Sequence, residues 1–142
     1  MSSKILVVED EIFIAMAFED LLHDLGHEPI GIAPDSRRAM ALASEAELAF
    51  VDLNLADGPT GVEVGRALAD RGVTVIYMTA NPEQLGDGVP GTIGVIPKPA
   101  DNNELRQAVE YAIAVRRRHQ ADARPPLRLK LFDGLGASAA VA

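Results

Sequence analysis

The chain of 142 residues has no cysteine, few basic side chains and no long apolar run. Without cysteine it has neither disulfides nor thiolate metal sites, and thiol redox chemistry is excluded. Thirteen Lys and Arg face 21 Asp and Glu, for a formal net charge of -8. This balance argues against a nucleic-acid surface, because phosphate binding needs clustered basic residues. The length fits one domain that buries most of its apolar surface without structural metal.

Targeting signals are also missing from the sequence. Met1 to Lys4 lead straight into a predicted strand, with no apolar region of the signal-peptide kind. The longest helical apolar stretch, Ile12 to Phe18, is far shorter than the roughly 20 residues that span a bilayer. We therefore expect a cytoplasmic protein that contacts neither membrane nor nucleic acid.

Strand-like apolar runs alternate with segments of helical period from residue 4 to about 118. This rhythm predicts an α/β domain with a doubly wound parallel sheet. The arrangement expected is flavodoxin-like, with five strands in the order 2-1-3-4-5. The predicted strands are 4–9, 28–33, 47–52, 73–78 and 92–96, and the predicted helices are about 12–25, 35–44, 60–70 and 101–118.

Three helix starts carry recognisable capping residues. Asp35 follows a proline and can cap the second helix. Thr60 with Glu63, and Asp101 with Glu104, have the spacing of capping boxes for the third and last helices.

The connection between the fourth and fifth strands lacks helix-forming residues. Segment 81–91 contains three glycines and two prolines, which leave room for about one turn of helix at most. We therefore predict a short or irregular fourth crossover helix.

The domain is expected to cover residues 1–118, with 119–142 as a C-terminal tail. The tail is rich in Ala, Pro and Gly and is predicted to be flexible. Leu127, Leu129 and Leu131 alternate with basic residues, so a strand at 127–132 that adds to a sheet edge of this or another molecule is the alternative.

Polar residues stand at the ends of four predicted strands. Glu9 and Asp10 stand at the end of the first, Asp52 at the end of the third and Thr79 directly after the fourth, and Lys98 comes two residues after the last. The carboxyl ends of parallel strands share one edge of a sheet, where open α/β sheets form their ligand crevice. We therefore expect three carboxylates, a hydroxyl and an ammonium in one pocket.

This set of groups suits phosphoryl chemistry. Converging carboxylates repel one another, and Mg²⁺ relieves the repulsion while binding phosphate oxygens directly. Lys98 and Thr79 on the other side of the pocket would neutralise and position the phosphoryl oxygens. No His, Ser or Cys falls at the predicted crevice, so Asp52 on the central strand is the candidate acceptor.

The chain resembles the receiver domain of two-component response regulators over about residues 4–118. The resemblance is carried by four segments: Ile5–Glu11, Phe50–Leu55, Met78–Ala80 and Lys98–Pro99. It implies that Asp52 accepts a phosphoryl group from a histidine kinase or a histidine phosphotransfer protein.

The resemblance also implies roles for the neighbouring residues. Asp10, Asp52 and the main-chain carbonyl of Asn54 would bind Mg²⁺, with Glu9 supporting the ion through water. Thr79 and Lys98 would bind the phosphoryl oxygens, and the peptide bond before Pro99 is expected to be cis. Receivers often have Tyr or Phe three residues before the lysine, whereas this chain has Val95.

Few residues follow residue 118, so a stand-alone response regulator is expected. It would not be an enzyme beyond its own phosphoryl transfer and dephosphorylation. Its output would be a contact with a protein partner, or it would act as a phosphate sink; the oligomeric state is left open.

Two other classes of protein fit less well. Phosphatases resembling the haloacid dehalogenase family carry their nucleophile on the first strand and an acidic Asp two residues later, whereas Asp52 is on the third strand and Asn54 is an amide. A flavin-binding flavodoxin would need a Ser, Thr and Gly phosphate loop after the first strand.

The first helix begins with three consecutive large apolar residues, Ile12, Phe13 and Ile14. One helix face cannot bury all three, so at least one should be exposed. We expect it to belong to the docking surface for the helices of the phosphodonor.

Overall fold

A computed structural model describes residues 2–118 and 123–132 of the chain. Six strands and four α-helices occur there: β1 (Lys4–Val8), α1 (Ile12–Asp24), β2 (Glu28–Ala33), α2 (Ser36–Leu42), β3 (Leu48–Val51), α3 (Gly61–Asp70), β4 (Thr74–Thr79), β5 (Gly94–Pro97), α4 (Asn102–Arg116) and β6 (Lys130–Leu131). Short 3-10 helices span Ala43–Glu45 and Pro82–Leu85. None of the helices in these two ranges has the length and apolar character that crossing a membrane requires.

The strands form one sheet in the order β2-β1-β3-β4-β5-β6. The first five strands run parallel, which confirms the predicted fold class and the order 2-1-3-4-5. β6 joins the free edge of β5 in the antiparallel sense. The sheet therefore has a sixth strand, contributed by the tail.

Helices cover both faces of the sheet, because the central strands are apolar on both sides. α1 and α4 pack on one face, where Phe18 meets Phe50 edge-on with ring centroids 4.9 Å apart. α2 and α3 pack on the other face, where the buried Tyr77 hydroxyl donates to the carbonyl of Val62 at 2.8 Å. Gly65 makes this packing possible, since a Cβ at that position would lie 2.2 Å from the Tyr77 hydroxyl.

Two of the three predicted helix caps are present. The Asp35 carboxylate accepts from the amide of Arg38 at 2.8 Å, and Asp101 with Glu104 forms a capping box at the start of α4.

The capping box predicted at Thr60 and Glu63 is wrong. Thr60 has a helical backbone conformation, unlike the extended one that a cap requires, and its hydroxyl donates instead to Asp57 at 2.7 Å. α4 also ends at Arg116, two residues before the predicted end.

The crossover between β4 and β5 is short, as predicted. Its only helix is the four-residue 3-10 helix Pro82–Leu85, within the part of the chain that the structure describes. The tail returns beside this crossover and forms β6 within the alternating segment. The predicted flexibility of residues 119–122 and 133–142 concerns positions outside the described residues.

Candidate functional site

Three carboxylates meet at the carboxyl edge of the sheet. Glu9 and Asp10 follow β1, and Asp52 follows β3, whose last residue pairs in register with the last residue of β1. Oxygen atoms of the three side chains lie within 4.8 Å of one another. Glu9 and Asp52 are buried and Asp10 is exposed, so the group is open on one side. Such a set of hard oxygen ligands fits a divalent cation of the Mg²⁺ type.

Lys98 closes the other side of this carboxylate group. Its Nζ lies 2.6 Å from Glu9 Oε1 and 3.0 Å from Asp52 Oδ2. Glu11, which lies outside this group of three, also contacts the ammonium at 3.2 Å and remains largely exposed. The sequence interpretation missed Glu11, although its place directly after Glu9 and Asp10 was a visible signal.

Burial and ion pairing act against each other on the pKa values of Glu9 and Lys98. Burial raises the pKa of Glu9 to about 7, although the hydrogen bond and the charge of Lys98 offset part of the rise. Burial alone would lower the pKa of Lys98, but its bonds to Glu9 and Asp52 outweigh this effect and raise that pKa. The ammonium therefore stays charged while the carboxylates hold it beside Asp52.

Thr79 and Asn54 line the same cleft, which has a volume of about 290 Å³ and also includes Asp10, Asp52 and Lys98. Thr79 is buried at the end of β4, and its hydroxyl oxygen accepts from the amide of Asn81 at 3.0 Å. Asn54 is exposed in the loop after β3. Every predicted site residue except Glu9 thus lines this cleft, and Glu9 lies behind it.

The backbone near Asp52 is held from two sides. The amide of Asp52 donates to the carbonyl of Val8 at 2.9 Å, which extends the pairing of β1 with β3. The amide of Gly61 donates to the carbonyl of Leu53 at 2.9 Å and brings the start of α3 against the loop. A Cβ on Gly61 would lie 1.9 Å from the Asp52 carbonyl oxygen, so this approach requires glycine.

The loop that carries Lys98 is anchored to the neighbouring strand. The amide of Lys98 donates to the carbonyl of Thr79 at 2.9 Å, which fixes the two phosphoryl-binding candidates relative to each other. The Lys98–Pro99 bond is cis, as predicted. Val95 is completely buried in β5, in register with Tyr77 of β4.

An apolar surface lies beside the cleft on α1. Phe13 is 85% exposed, and Ile12, Ile14 and Met16 are exposed to a lesser degree, which confirms that this helix leaves apolar side chains uncovered. A groove of about 450 Å³ continues this surface between α1 and α4 and reaches Lys98.

The family model of the response regulator receiver domain matches residues 5–110. Among characterised proteins, the phyllosphere-induced regulator PhyR of Methylorubrum extorquens is 36% identical over 118 residues, which are 80% of this chain and 44% of PhyR. The transcriptional regulatory protein PdtaR of Mycobacterium tuberculosis is 25% identical over 119 residues, 78% of this chain and 57% of PdtaR. The chain thus spans about half the length of these relatives.

Solved structures give the same relationship. The receiver domain of PhyR from Erythrobacter litoralis superposes with a TM-score of 0.71 at 32% identity, covering 79% of this chain and 90% of that domain. PhyR from Brucella abortus has a TM-score of 0.74 at 29% identity, covering 86% of this chain and 52% of that protein.

Proposed function

The chain belongs to the response regulator receiver family, and we propose that it accepts a phosphoryl group on Asp52 in a Mg²⁺-dependent reaction. The donor is a histidine kinase or a histidine phosphotransfer protein. One observation carries this proposal: the Lys98 ammonium lies 3.0 Å from Asp52 Oδ2, at the rim of the cluster of three carboxylates.

Asp52 has the surroundings that a phosphoryl acceptor needs. Its carboxylate attacks the phosphorus of a phosphohistidine, a P–O bond forms as the P–N bond breaks, and the imidazole leaves with a proton from solvent. Lys98 and the Thr79 hydroxyl orient the equatorial oxygens of the transferred group and balance their charge. Mg²⁺ held by Asp10, Asp52 and the carbonyl of Asn54, with Glu9 behind them, would supply the remaining positive charge.

Labelling with acetyl phosphate and Mg²⁺, followed by intact mass, tests the acceptor. Wild-type protein should gain one phosphoryl group, and Asp52→Asn should gain none. Asp20→Asn, at an exposed position of α1, is the matched control and should be labelled like the wild type. A full equivalent of label on Asp52→Asn would overturn the assignment.

Metal titration tests the ion site separately from the acceptor. Asp10→Asn should weaken Mg²⁺ binding strongly, since a neutral amide neither offsets the cation's charge nor ligates it as well. Lys98→Ala should keep Mg²⁺ binding but impair phosphoryl transfer. Equal Mg²⁺ affinity in the wild type and Asp10→Asn would contradict the ion site.

The exposed apolar surface of α1 supports docking of the donor's helices next to Asp52. A helix-on-helix contact would cover Phe13 and bring the phosphohistidine to the cleft. Phe13→Glu should slow transfer from the cognate donor by about tenfold or more, the loss expected for an anchor residue, and leave labelling by acetyl phosphate unchanged. Leu127→Glu, at a fully exposed apolar residue of the tail, is the control. Equal losses with both donors would instead indicate damage to the fold.

The phosphorylated protein has two candidate outputs: a contact with a protein partner, or removal of phosphoryl groups from a shared kinase. Competition in a reconstituted mixture of kinase and a second regulator separates them. A sink lowers phosphorylation of the second regulator in proportion to its own concentration. A signalling protein instead gains a partner only when phosphorylated.

A further inference from the structure

Residues 127–132, here called the tail strap, wrap around the free edge of β5. Lys130 and Leu131 pair with Val95 and Gly94, and the amide of Phe132 donates to the carbonyl of Ile93 at 3.1 Å. Leu129 is buried in the apolar cluster of α1 and α4, whereas Phe132 is buried in the cluster of α2 and α3. Leu131 packs against the same cluster as Leu129, so the tail strap packs apolar side chains on both faces of the sheet.

Phe132 fills the space that the short β4–β5 crossover leaves uncovered. Its ring lies so close to Gly88 that a Cβ there would be 2.4 Å from it. On the other side the ring faces Tyr77, with centroids 6.4 Å apart. A side chain from the tail thus does the packing that a full crossover helix would do.

Polar bonds tie the tail strap to two loops that lead away from the candidate site. Arg128 donates to the carbonyl of Pro99 at 2.7 Å and to the Glu104 carboxylate at 2.5 and 2.7 Å. Lys130 Nζ donates to the carbonyl of Gly86 at 2.9 Å. The first loop begins at Lys98 and the second follows Thr79, the two residues assigned to the phosphoryl oxygens.

We propose that the tail strap is a clamp whose docking depends on the phosphorylation state of Asp52. This inference rests on the proposed function. A phosphoryl group on Asp52 draws the Thr79 hydroxyl and the chain behind it inward, while Pro99 stays fixed to Arg128. The carbonyl of Gly86 then moves away from Lys130, so the tail strap cannot keep both attachments and loosens.

Linkage makes this coupling measurable from either end. If phosphorylation loosens the tail strap, then loosening the tail strap by mutation must favour the phosphorylated state, by a factor that does not exceed the coupling between the two sites. Beryllofluoride with Mg²⁺ serves as the phosphoryl mimic, and its affinity for the full chain can be titrated.

Phe132→Ala should bind beryllofluoride about fivefold or more tightly than the wild type, the lower range of typical couplings between sites. Arg128→Ala removes only exposed bonds and should bind about two- to fivefold more tightly; it also keeps the test valid if Phe132→Ala does not fold. Leu127→Ala, which is fully exposed, is the matched control and should bind like the wild type. Equal or weaker binding by Arg128→Ala would overturn the clamp.

Amide exchange of the wild type gives the second readout. Exchange at Phe132, whose amide is bonded to Ile93, should speed up when beryllofluoride and Mg²⁺ are added, while β1 and β3 keep their protection. Unchanged exchange in the tail strap, with beryllofluoride bound, would overturn the clamp and leave the proposed function intact. Failure of the wild type to bind beryllofluoride at all would overturn both.

Discussion

Lys98 and Arg128 both form ion pairs beside the loop that follows β5, but the two pairs have different surroundings. The Lys98 side chain is 14% exposed and contacts Glu9, Glu11 and Asp52. The Arg128 side chain is 45% exposed and bonds Glu104 and the carbonyl of Pro99. Both are cations bound to carboxylates, so the difference lies in how much water surrounds each pair.

Solvent exposure decides how much each ion pair contributes to stability. A buried charge must keep a partner, because losing the partner leaves it uncompensated, whereas an exposed pair is screened and contributes little to stability. Lys98 is therefore coupled energetically to the carboxylates of the site. Arg128 sets the position of the tail strap, and burial of Leu129 and Phe132 supplies the stability of its docking.

The largest effect is expected from removing the buried cation. Lys98→Met keeps the apolar part of the side chain but leaves the buried Glu9 carboxylate without its partner. At pH 8 and without Mg²⁺, we expect the free energy of unfolding to fall by about 3–5 kcal/mol. Denaturant unfolding monitored by circular dichroism measures this change.

Mg²⁺ and pH provide the controls for Lys98→Met. A cation bound by the carboxylates should restore most of the lost stability, and at pH 5 the loss should shrink because Glu9 takes up a proton. A loss that is the same at both pH values and with Mg²⁺ would mean that packing, and not charge, is what Lys98 supplies.

Removing the aromatic anchor of the tail strap should have the next largest effect. Phe132→Ala leaves a cavity between Gly88 and Tyr77, and we expect a loss of about 3 kcal/mol in the free energy of unfolding. Leu127→Ala belongs to the same segment but is fully exposed, so it should change stability by less than about 0.5 kcal/mol. Similar small losses in both variants would show that the tail is not held by burial.

The site around Lys98 could be predicted from the sequence more fully than the docking of the tail. Strand ends are marked by apolar runs that stop, and parallel strands bring those ends to one edge, so Glu9, Asp10, Asp52, Thr79 and Lys98 could be placed together. The alternating leucines of the tail indicated a strand but not the edge it joins. That edge depends on the space beside the short crossover, which arises only from the packed fold.

Glu11 was missed because acidic residues are common at helix starts, where they interact favourably with the helix dipole and need no part in a site.

The pH dependence of stability should isolate the raised pKa of Glu9. Because this pKa rises from 4.5 to about 7 on folding, the native state binds more protons than the unfolded state in that interval, and stability falls as the pH rises through it. We expect a decrease of about 2–3 kcal/mol between pH 5 and pH 8 without Mg²⁺, relative to Glu9→Gln.

The comparison with Glu9→Gln is needed because His27 acts in the opposite direction. Burial, followed by the nearby positive charges, lowers the pKa of His27, so its contribution to stability grows as the pH rises. Both proteins keep His27, and its effect cancels in the difference. Parallel stability curves for the two proteins would show that Glu9 does not titrate in this range.

The smallest effect is expected at two surface arginines. Comparing them tests whether solvent exposure decides how much an ion pair contributes to stability. Arg106 pairs with Glu110 one turn along α4 at 3.1 Å, and Arg128 pairs with Glu104 across the tail. Because both pairs are solvated, Arg106→Ala and Arg128→Ala should each lower the free energy of unfolding only slightly, and by less still in high salt. The two variants should nevertheless differ in amide exchange. Arg128→Ala loses its bond to Pro99 and should speed exchange at Phe132, whereas Arg106→Ala should leave this amide unchanged. A stability loss from Arg128→Ala as large as that from Lys98→Met would mean that the tail is held by charge, and that exposure does not separate the two sides of this loop.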